Sequence, residues 1–188
     1  MTINLPNFIT FGRILSVPVI FWLLISDQGQ LAFFVFLVAG ISDAVDGYLA
    51  KTFGWQTELG AYLDPIADKL LLVSIFIALG VKAELPLWLV IAVVSRDVLI
   101  VMGVMLAWLL GQPITVRPLV ISKWNTAAQI TLAAFVLAEI AFRFGAANIK
   151  WVLIWATALL TVLSLAAYTR AWFRHMNGEA AETNKTDP

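Results

Sequence analysis

The sequence predicts an all-α integral membrane protein with six transmembrane helices, and three observations support this fold class. Hydrophobic residues make up 61% of the 188 residues. Charged residues make up only 13%, whereas soluble domains average nearer a quarter charged residues. Six stretches approach the roughly 20 apolar residues that a helix needs to cross a bilayer. A soluble globule of this size could not bury so much apolar surface, so we expect that surface to face membrane lipids.

The six stretches follow one another with short connections and without a Pro- or Ser-rich linker. This organisation predicts one membrane domain over residues 1–176 and a polar, disordered tail over 177–188. Polar and apolar residues are interspersed before the first span, which fits either a short interfacial helix on the membrane surface or a ragged start of the first span. The predicted spans are residues 11–26, 30–49, 60–81, 85–110, 120–142 and 149–172.

Net charge and cysteine content exclude several kinds of chemistry. The formal net charge is zero, so composition gives no reason to expect a nucleic-acid partner. The sequence has no cysteine, which excludes disulfides and thiolate chemistry. The N-terminus lacks a basic region followed by a small-residue cleavage site, and we interpret it as part of the mature protein rather than as a signal peptide.

The distribution of lysine and arginine predicts the orientation in the membrane. With the N-terminus inside, six cationic residues lie on the cytoplasmic side and three on the opposite side. This excess favours cytoplasmic termini, and a bacterial inner membrane is the expected location. The cytoplasmic group is Lys51, Arg117, Lys123, Arg170, Arg174 and Lys185, and the opposite group is Lys82, Arg143 and Lys150.

Carboxylates within the predicted spans are the main functional signal, because ionisable groups inside the membrane are costly and usually functional. Asp43 and Asp46 lie three residues apart near the end of the second span, on one helical face. Asp64 and Asp68 lie four residues apart on one face of the third span. Because the connection between these spans is short, we expect the four carboxylates to converge just below the cytoplasmic surface.

Four carboxylates in one pocket require compensating charge, from either protons or cations. Two divalent ions would bring four positive charges. Oxygen-only ligation favours Mg²⁺ or Mn²⁺, and a zinc site is excluded because the only histidine, His175, follows the last span. Gly47 and Gly60 beside the carboxylates allow either close approach of a ligand or close packing of helices.

A second class of function, a transporter or channel whose aspartates bind a translocated cation, would also explain acidic residues in spans. A translocation path needs polar groups through the depth of the membrane, whereas these four cluster at one end. A structural scaffold would leave the aspartates unexplained. We therefore favour an enzyme.

The acidic residues belong to the pattern Asp43-x2-Asp46-Gly47-x2-Ala50-Lys51-x8-Gly60-x3-Asp64-x3-Asp68. This pattern resembles the signature of the CDP-alcohol phosphatidyltransferase family. Seven of the eight positions fixed by that signature match, and the exception is Lys51, where the family usually has arginine. The resemblance implies a homodimer of six-helix subunits with a cytoplasmic active site.

The resemblance also implies roles for individual residues. Asp43, Asp46, Asp64 and Asp68 would bind the metal ions, and Asp68 would also be the general base. Lys51 and Thr57 have simpler alternatives, as a loop cation and as a cap of the third helix. The residues expected to contact the donor, CDP-diacylglycerol, are Gly47, Lys51 and Thr57, with Asn7, Thr10 and Arg13 of the N-terminal element Pro6-Asn7-x2-Thr10-x2-Arg13.

Two further segments carry a second resemblance, and they are Ser95-Arg96-Asp97-Val98 and Ile121-Ser122-Lys123-Trp124-Asn125-Thr126-Ala127-Ala128-Gln129. They resemble one branch of the family, the CMP-forming cardiolipin synthases, and the implied acceptor is phosphatidylglycerol, a glycerol-type phospholipid. The phosphatidylglycerophosphate synthases are near relatives and use glycerol 3-phosphate. Arg96 and Lys123 are candidate contacts for the acceptor phosphate, with an Arg96–Asp97 ion pair and a topology-setting lysine as the alternatives.

Overall fold

The computed structural model describes residues 5–53, 58–109 and 120–176. Across these ranges the regular structure consists of six α-helices, which confirms the predicted all-α class. The helices are α1 (Leu5–Ile25), α2 (Gly29–Phe53), α3 (Glu58–Val81), α4 (Leu87–Leu109), α5 (Val120–Phe142) and α6 (Ala147–Met176). The predicted tail, residues 177–188, lies outside the described ranges.

The start of α1 resolves one of the alternatives left by the sequence. α1 is a single helix from Leu5 to Ile25, so no separate interfacial helix lies within these residues. The polar residues near its start do not interrupt the helix, because the helix propensities of ordinary polar residues differ only slightly from those of apolar ones. Pro18 also lies within α1. Proline lacks an N–H and so leaves one carbonyl of the preceding turn without its helical hydrogen bond, which membrane helices tolerate when neighbouring groups satisfy that carbonyl.

The helices pack around one apolar core. α1 packs against α2 and α3, α5 packs against α2 and α6, and α4 packs against α6 and α3. Fully buried side chains from α1, α3, α4, α5 and α6 meet in this core, and they include Ile20, Leu24, Phe76, Leu79, Leu89, Leu132, Leu137 and Ile154. α1 therefore lies against both α2 and α3, the two helices that carry the signature aspartates.

Length and composition qualify two of the described helical stretches as membrane spans, Val120–Phe142 and Ala147–Phe173. Shorter apolar stretches cover Gly12–Ile25 and Gly29–Ser42. Large apolar side chains such as Trp22, Val38 and Leu109 point outward. These surfaces fit a lipid environment, and the crossing of all six helices stays a prediction.

The turns that follow α1 and α3 close in the same way. The amide of Gln28 donates to the carbonyl of Leu23 at 2.9 Å, and the amide of Glu84 donates to the carbonyl of Leu79 at 2.9 Å. Asp27 and Ala83, one residue before each donor, have φ of 59° and 58°. This is the Schellman arrangement, which satisfies the last carbonyls of a helix with a left-handed residue.

Ion pairs join these two turns to each other and join the turn after α3 to α6, far along the bundle from the signature aspartates. Lys82 pairs with Asp27 and donates to the carbonyl of Leu24 at 2.9 Å. Lys150 pairs with Glu84 at 2.8 Å and with Glu139 at 3.2 Å. These groups line a polar pocket of about 1290 Å³. Each of these charged groups has an ion-pair partner among the described residues, which indicates that they hold the turns together.

The Lys82–Asp27 pair predicts a pH-dependent contribution to stability. The hydrogen bond and the positive charge of Lys82 lower the pKa of Asp27 below its ordinary value of 3.8. A carboxylate whose pKa is lower in the folded state than in the unfolded state stabilises the fold at pH values above the unfolded pKa. This contribution disappears as the pH falls through the folded pKa. We expect Asp27→Asn to lower Tm slightly at pH 7 and to lower it less at pH 3, below the ordinary pKa of the carboxyl. A decrease in Tm that is equal at both pH values would contradict this pairing.

Candidate functional site

An ion pair joins the N-terminal element to the last aspartate of the signature. Arg13 in α1 contacts Asp68 in α3, with 2.7 Å between Nη1 and Oδ1. The Arg13 side chain is 3% exposed, whereas that of Asp68 is 46% exposed. A buried guanidinium needs such a partner, because an uncompensated buried charge is strongly destabilising. The structure thus brings together two residues that the sequence singled out 55 positions apart.

A groove beside this pair reaches the acidic end of α2. It has a volume of about 470 Å³ and lies between α1 and α2. Arg13 and Ser42 both line it, and Ser42 directly precedes Asp43. The start of α1, the Asp43 region of α2 and Asp68 of α3 therefore lie in one part of the bundle. The remaining lining residues are Gly12, Ser16, Phe34, Val35, Val38 and Ala39.

Several predicted site residues have a helical backbone but side chains outside what the structure describes. In α2 these are Asp43, Asp46, Gly47 and Lys51; in α3 they are Gly60 and Asp64; in α1 they are Asn7 and Thr10. Thr57 lies between the described ranges. Among the described side chains, no three acidic, histidine or cysteine residues are placed to hold a metal. Because three signature aspartates are not among them, the four-aspartate site stays a prediction.

The donor chemistry at this end of the bundle fits a hard divalent ion. The signature offers only carboxylate oxygens, the ligands that magnesium and manganese prefer. The one signature carboxylate that the structure describes, Asp68, is nearly half exposed, so a ligand can reach it. Arg13 fixes the direction of this carboxylate.

A second polar cluster connects four helices and contains Arg96. The Arg96 Nη1 donates to Asp97 Oδ1 at 2.5 Å, and its Nη2 donates to Ser122 at 2.7 Å and to Ser164 at 2.5 Å. The guanidinium also lies over the ring of Tyr168, 5.5 Å from its centroid. Arg96 thereby holds α4 against α5 and α6.

Lys69 of α3 also belongs to this cluster. Lys69 Nζ contacts Asp97 Oδ1 at 2.9 Å, so Lys69 and Arg96 share one carboxylate oxygen. The Asp97 side chain is 9% exposed, and that of Arg96 is 2% exposed. Lys69 directly follows Asp68 in the chain. The cluster therefore begins one residue from the Arg13–Asp68 pair.

The two candidate acceptor contacts have different surroundings. Arg96 forms the ion pair with Asp97 that the sequence offered as an alternative role. Lys123 is exposed on α5 and follows Ser122, which accepts a hydrogen bond from Arg96. The two segments that resemble the cardiolipin synthase branch are thus in contact through Arg96 and Ser122. Binding of an acceptor by Arg96 or Lys123 stays a prediction.

Sequence reasoning assigned no role to Lys69, Ser122 or Ser164. Lys69 carried a signal, a charge within a span next to Asp68, but the sequence indicated no partner for it. Ser122 lies in a segment of the branch resemblance and Ser164 does not, but neither indicated a partner, because a serine in an apolar helix commonly serves helix packing.

The family model for CDP-alcohol phosphatidyltransferase matches residues 3–163 of this chain. The chain is 38% identical to the cardiolipin synthase (CMP-forming) / mitochondrial hydrolase fusion protein of Schizosaccharomyces pombe, over 92% of the chain and 32% of that protein. It is 33% identical to cardiolipin synthase (CMP-forming) of Homo sapiens, over 88% of the chain and 60% of that protein.

A relative from the other branch is similarly close. The chain is 30% identical to the CDP-diacylglycerol–glycerol-3-phosphate 3-phosphatidyltransferase of Haemophilus influenzae, over 89% of the chain and 92% of that protein. The chain spans less than two thirds of the length of the two cardiolipin synthases. With a family match over most of its length and the signature aspartates on α2 and α3, the chain belongs to the CDP-alcohol phosphatidyltransferase family.

Proposed function

We propose that this protein transfers a phosphatidyl group from CDP-diacylglycerol to phosphatidylglycerol, giving cardiolipin and CMP. The family is one of integral membrane proteins and generally uses divalent metal ions, which agrees with the long apolar helices and the carboxylate signature. The choice of phosphatidylglycerol rests on sequence resemblance, and the contact that supports it is the 2.7 Å hydrogen bond from Arg96 to Ser122. It joins the two segments that resemble cardiolipin synthases.

The proposed chemistry is a displacement at phosphorus. The acceptor hydroxyl oxygen attacks the phosphorus that bears diacylglycerol, the bond from this phosphorus to the CMP oxygen breaks, and Asp68 accepts the hydroxyl proton. Arg13 holds the Asp68 carboxylate by the 2.7 Å contact. Divalent ions held by Asp43, Asp46, Asp64 and Asp68 would supply charge stabilisation on the diphosphate and on the leaving CMP.

Several further residues are proposed to contact the donor, CDP-diacylglycerol. Gly47, Lys51 and Thr57 are proposed to contact the CDP part, together with Asn7 and Thr10. The position of Arg13 supports this arrangement, since it belongs to the same N-terminal element and lies at Asp68. Lys51 would bind phosphate as a point charge, without the two-pronged geometry of arginine.

The membrane arrangement is proposed from the distribution of cationic residues. The six transmembrane helices are proposed from the apolar stretches, and the excess of lysine and arginine on one side supports cytoplasmic termini and a cytoplasmic active site. We also propose that the protein forms a homodimer and that it lies in a bacterial inner membrane.

The second candidate is a phosphatidylglycerophosphate synthase, which would transfer the same group to glycerol 3-phosphate. Relatives of both kinds match this chain at 30–38% identity, so similarity does not separate them. The buried Arg96 cluster does not separate them either, because both acceptors are anionic. A cation transporter is disfavoured by the family membership.

Supplying each acceptor to the purified full chain with one donor tests the choice. We expect CDP-diacylglycerol and phosphatidylglycerol to yield cardiolipin and CMP in equal amounts, with lipid products resolved by mass. An Asp68→Asn preparation made in the same host controls for contaminating enzymes. Conversion of glycerol 3-phosphate without conversion of phosphatidylglycerol would make the protein a phosphatidylglycerophosphate synthase. If CMP is released with neither phosphatidylglycerol nor glycerol 3-phosphate, the proposed function has no support.

A further inference from the structure

The cluster of Lys69, Arg96 and Asp97 places two cations on one carboxylate oxygen. Lys69 Nζ lies 2.9 Å from Asp97 Oδ1, and Arg96 Nη1 lies 2.5 Å from the same atom. Lys69 Nζ and Arg96 Nη1 therefore lie close to each other, since both contact the same oxygen atom. Two cations and one anion leave a surplus of one positive charge among these three side chains, of which Arg96 and Asp97 are buried and Lys69 is partly exposed. Such a surplus favours an additional anion, because buried charges are stabilised by partners.

The two cations differ in their access to a ligand. Arg96 is 2% exposed, and the hydroxyls of Ser122 and Ser164 occupy its Nη2. Lys69 is 41% exposed. An ammonium group has three N–H donors, and in the described part of the chain Asp97 takes one of them. An anion from outside the cluster therefore meets Lys69 before it meets Arg96.

The position of Lys69 relates this cluster to the proposed reaction. Consecutive helical residues point about 100° apart, since an α-helix has 3.6 residues per turn. Asp68 accordingly points to Arg13 of α1, while Lys69 points to Asp97 of α4. The two side chains nonetheless start from consecutive residues of α3, whose Cα atoms lie about 3.8 Å apart. In both candidate acceptors one glycerol unit separates the attacking hydroxyl from the phosphate.

We infer that Lys69 binds the anionic phosphate of the acceptor, and that Asp97 is a positioning residue that holds Lys69 in place and links it to Arg96. This inference rests on the proposed phosphatidyl transfer. The ligand chemistry is a phosphate ester one glycerol unit away from the attacking hydroxyl, present both in phosphatidylglycerol and in glycerol 3-phosphate. Arg96 acts through Asp97 and fixes α4 against α5 and α6.

The alternative is a structural role, in which Lys69 only neutralises Asp97. The two roles differ in kinetics. A structural role would change stability, or kcat with both substrates, whereas a phosphate contact would change KM for the acceptor alone. Lys69→Met removes the charge and keeps a long side chain, and Lys69→Arg restores a cation.

The experiment measures KM for each acceptor and for CDP-diacylglycerol, with the full chain purified in lipid nanodiscs. We expect Lys69→Met to raise KM for the accepted glycerol compound by at least about tenfold, the scale of a charge-assisted hydrogen bond. KM for CDP-diacylglycerol should stay within about twofold, and Lys69→Arg should restore part of the acceptor affinity. Arg170→Met, which removes an exposed cation of α6, is the matched control and should leave all constants unchanged.

A double-variant cycle tests Asp97. If Asp97 acts through Lys69, Asp97→Asn raises the acceptor KM, and Lys69→Met/Asp97→Asn raises it no further than Lys69→Met does. Additive effects would overturn the positioning role. An unchanged acceptor KM in Lys69→Met would overturn the phosphate contact even if Asp97→Asn does not fold. Absence of turnover with either acceptor in the unmodified protein is a different result, since it contradicts the proposed function itself.

Discussion

We expect Asp68→Asn to lower kcat by at least about a hundredfold, the usual scale of general-base contributions. Asparagine has the shape of aspartate but cannot accept the proton of the attacking hydroxyl, and it removes one negative charge from the proposed metal site. Because the Asp68 side chain is nearly half exposed, the substitution does not bury a new polar group. The asparagine oxygen can still accept the hydrogen bond from Arg13, so we expect the protein to fold.

The measurement is the steady-state rate of CMP release with saturating donor and acceptor. Asp27→Asn is the matched control, since it makes the same chemical change in the turn between α1 and α2. That control should retain the unmodified rate, and circular dichroism and Tm should show that both variants are folded. A folded Asp68→Asn protein that keeps near-normal turnover would remove Asp68 from the mechanism.

The number and order of the helices could be predicted because each helix contains a long apolar stretch. Their ends could not, since hydropathy reports the part of a helix that suits lipid rather than the point where hydrogen bonding stops. α1 begins six residues before the predicted limit, and α6 continues from the predicted limit at Trp172 to Met176. In both places the additional residues mix polar and apolar types, which lowers the local hydropathy without preventing a helix.

The candidate site was predictable where the sequence carries charge in an apolar context. Asp68 and Arg13 were both identified, but their direct contact was not, because nothing in the sequence states that α1 and α3 are neighbours at this height. The same limit applies to Arg96. Its pairing with Asp97 is local and was foreseen, whereas its bond to Ser164, 68 residues away, depends on how α4 and α6 pack.

Removing divalent metal ions is expected to abolish activity, with Mg²⁺ or Mn²⁺ restoring it and Zn²⁺ failing to do so. The reason is the donor set, since the signature supplies four aspartates and the sequence has no cysteine. Carboxylates alone favour hard ions. Without cations the four negative charges would repel one another, and the charge on the leaving CMP would lack stabilisation.

Thermal unfolding gives this metal prediction a measurement that does not depend on turnover. A ligand that binds only the folded state stabilises it by about 2.7 kcal/mol when present at one hundred times its Kd. We therefore expect Mg²⁺ to raise Tm of the unmodified protein. Asp64→Asn, which removes one proposed ligand, should show a smaller shift, and Asp27→Asn should show the full shift. EDTA already saturated with Mg²⁺ controls for effects of the chelator itself. Full activity in excess EDTA, together with a Tm insensitive to Mg²⁺, would show that the aspartates balance their charge in another way, by protonation or by pairing with cationic side chains such as Arg13.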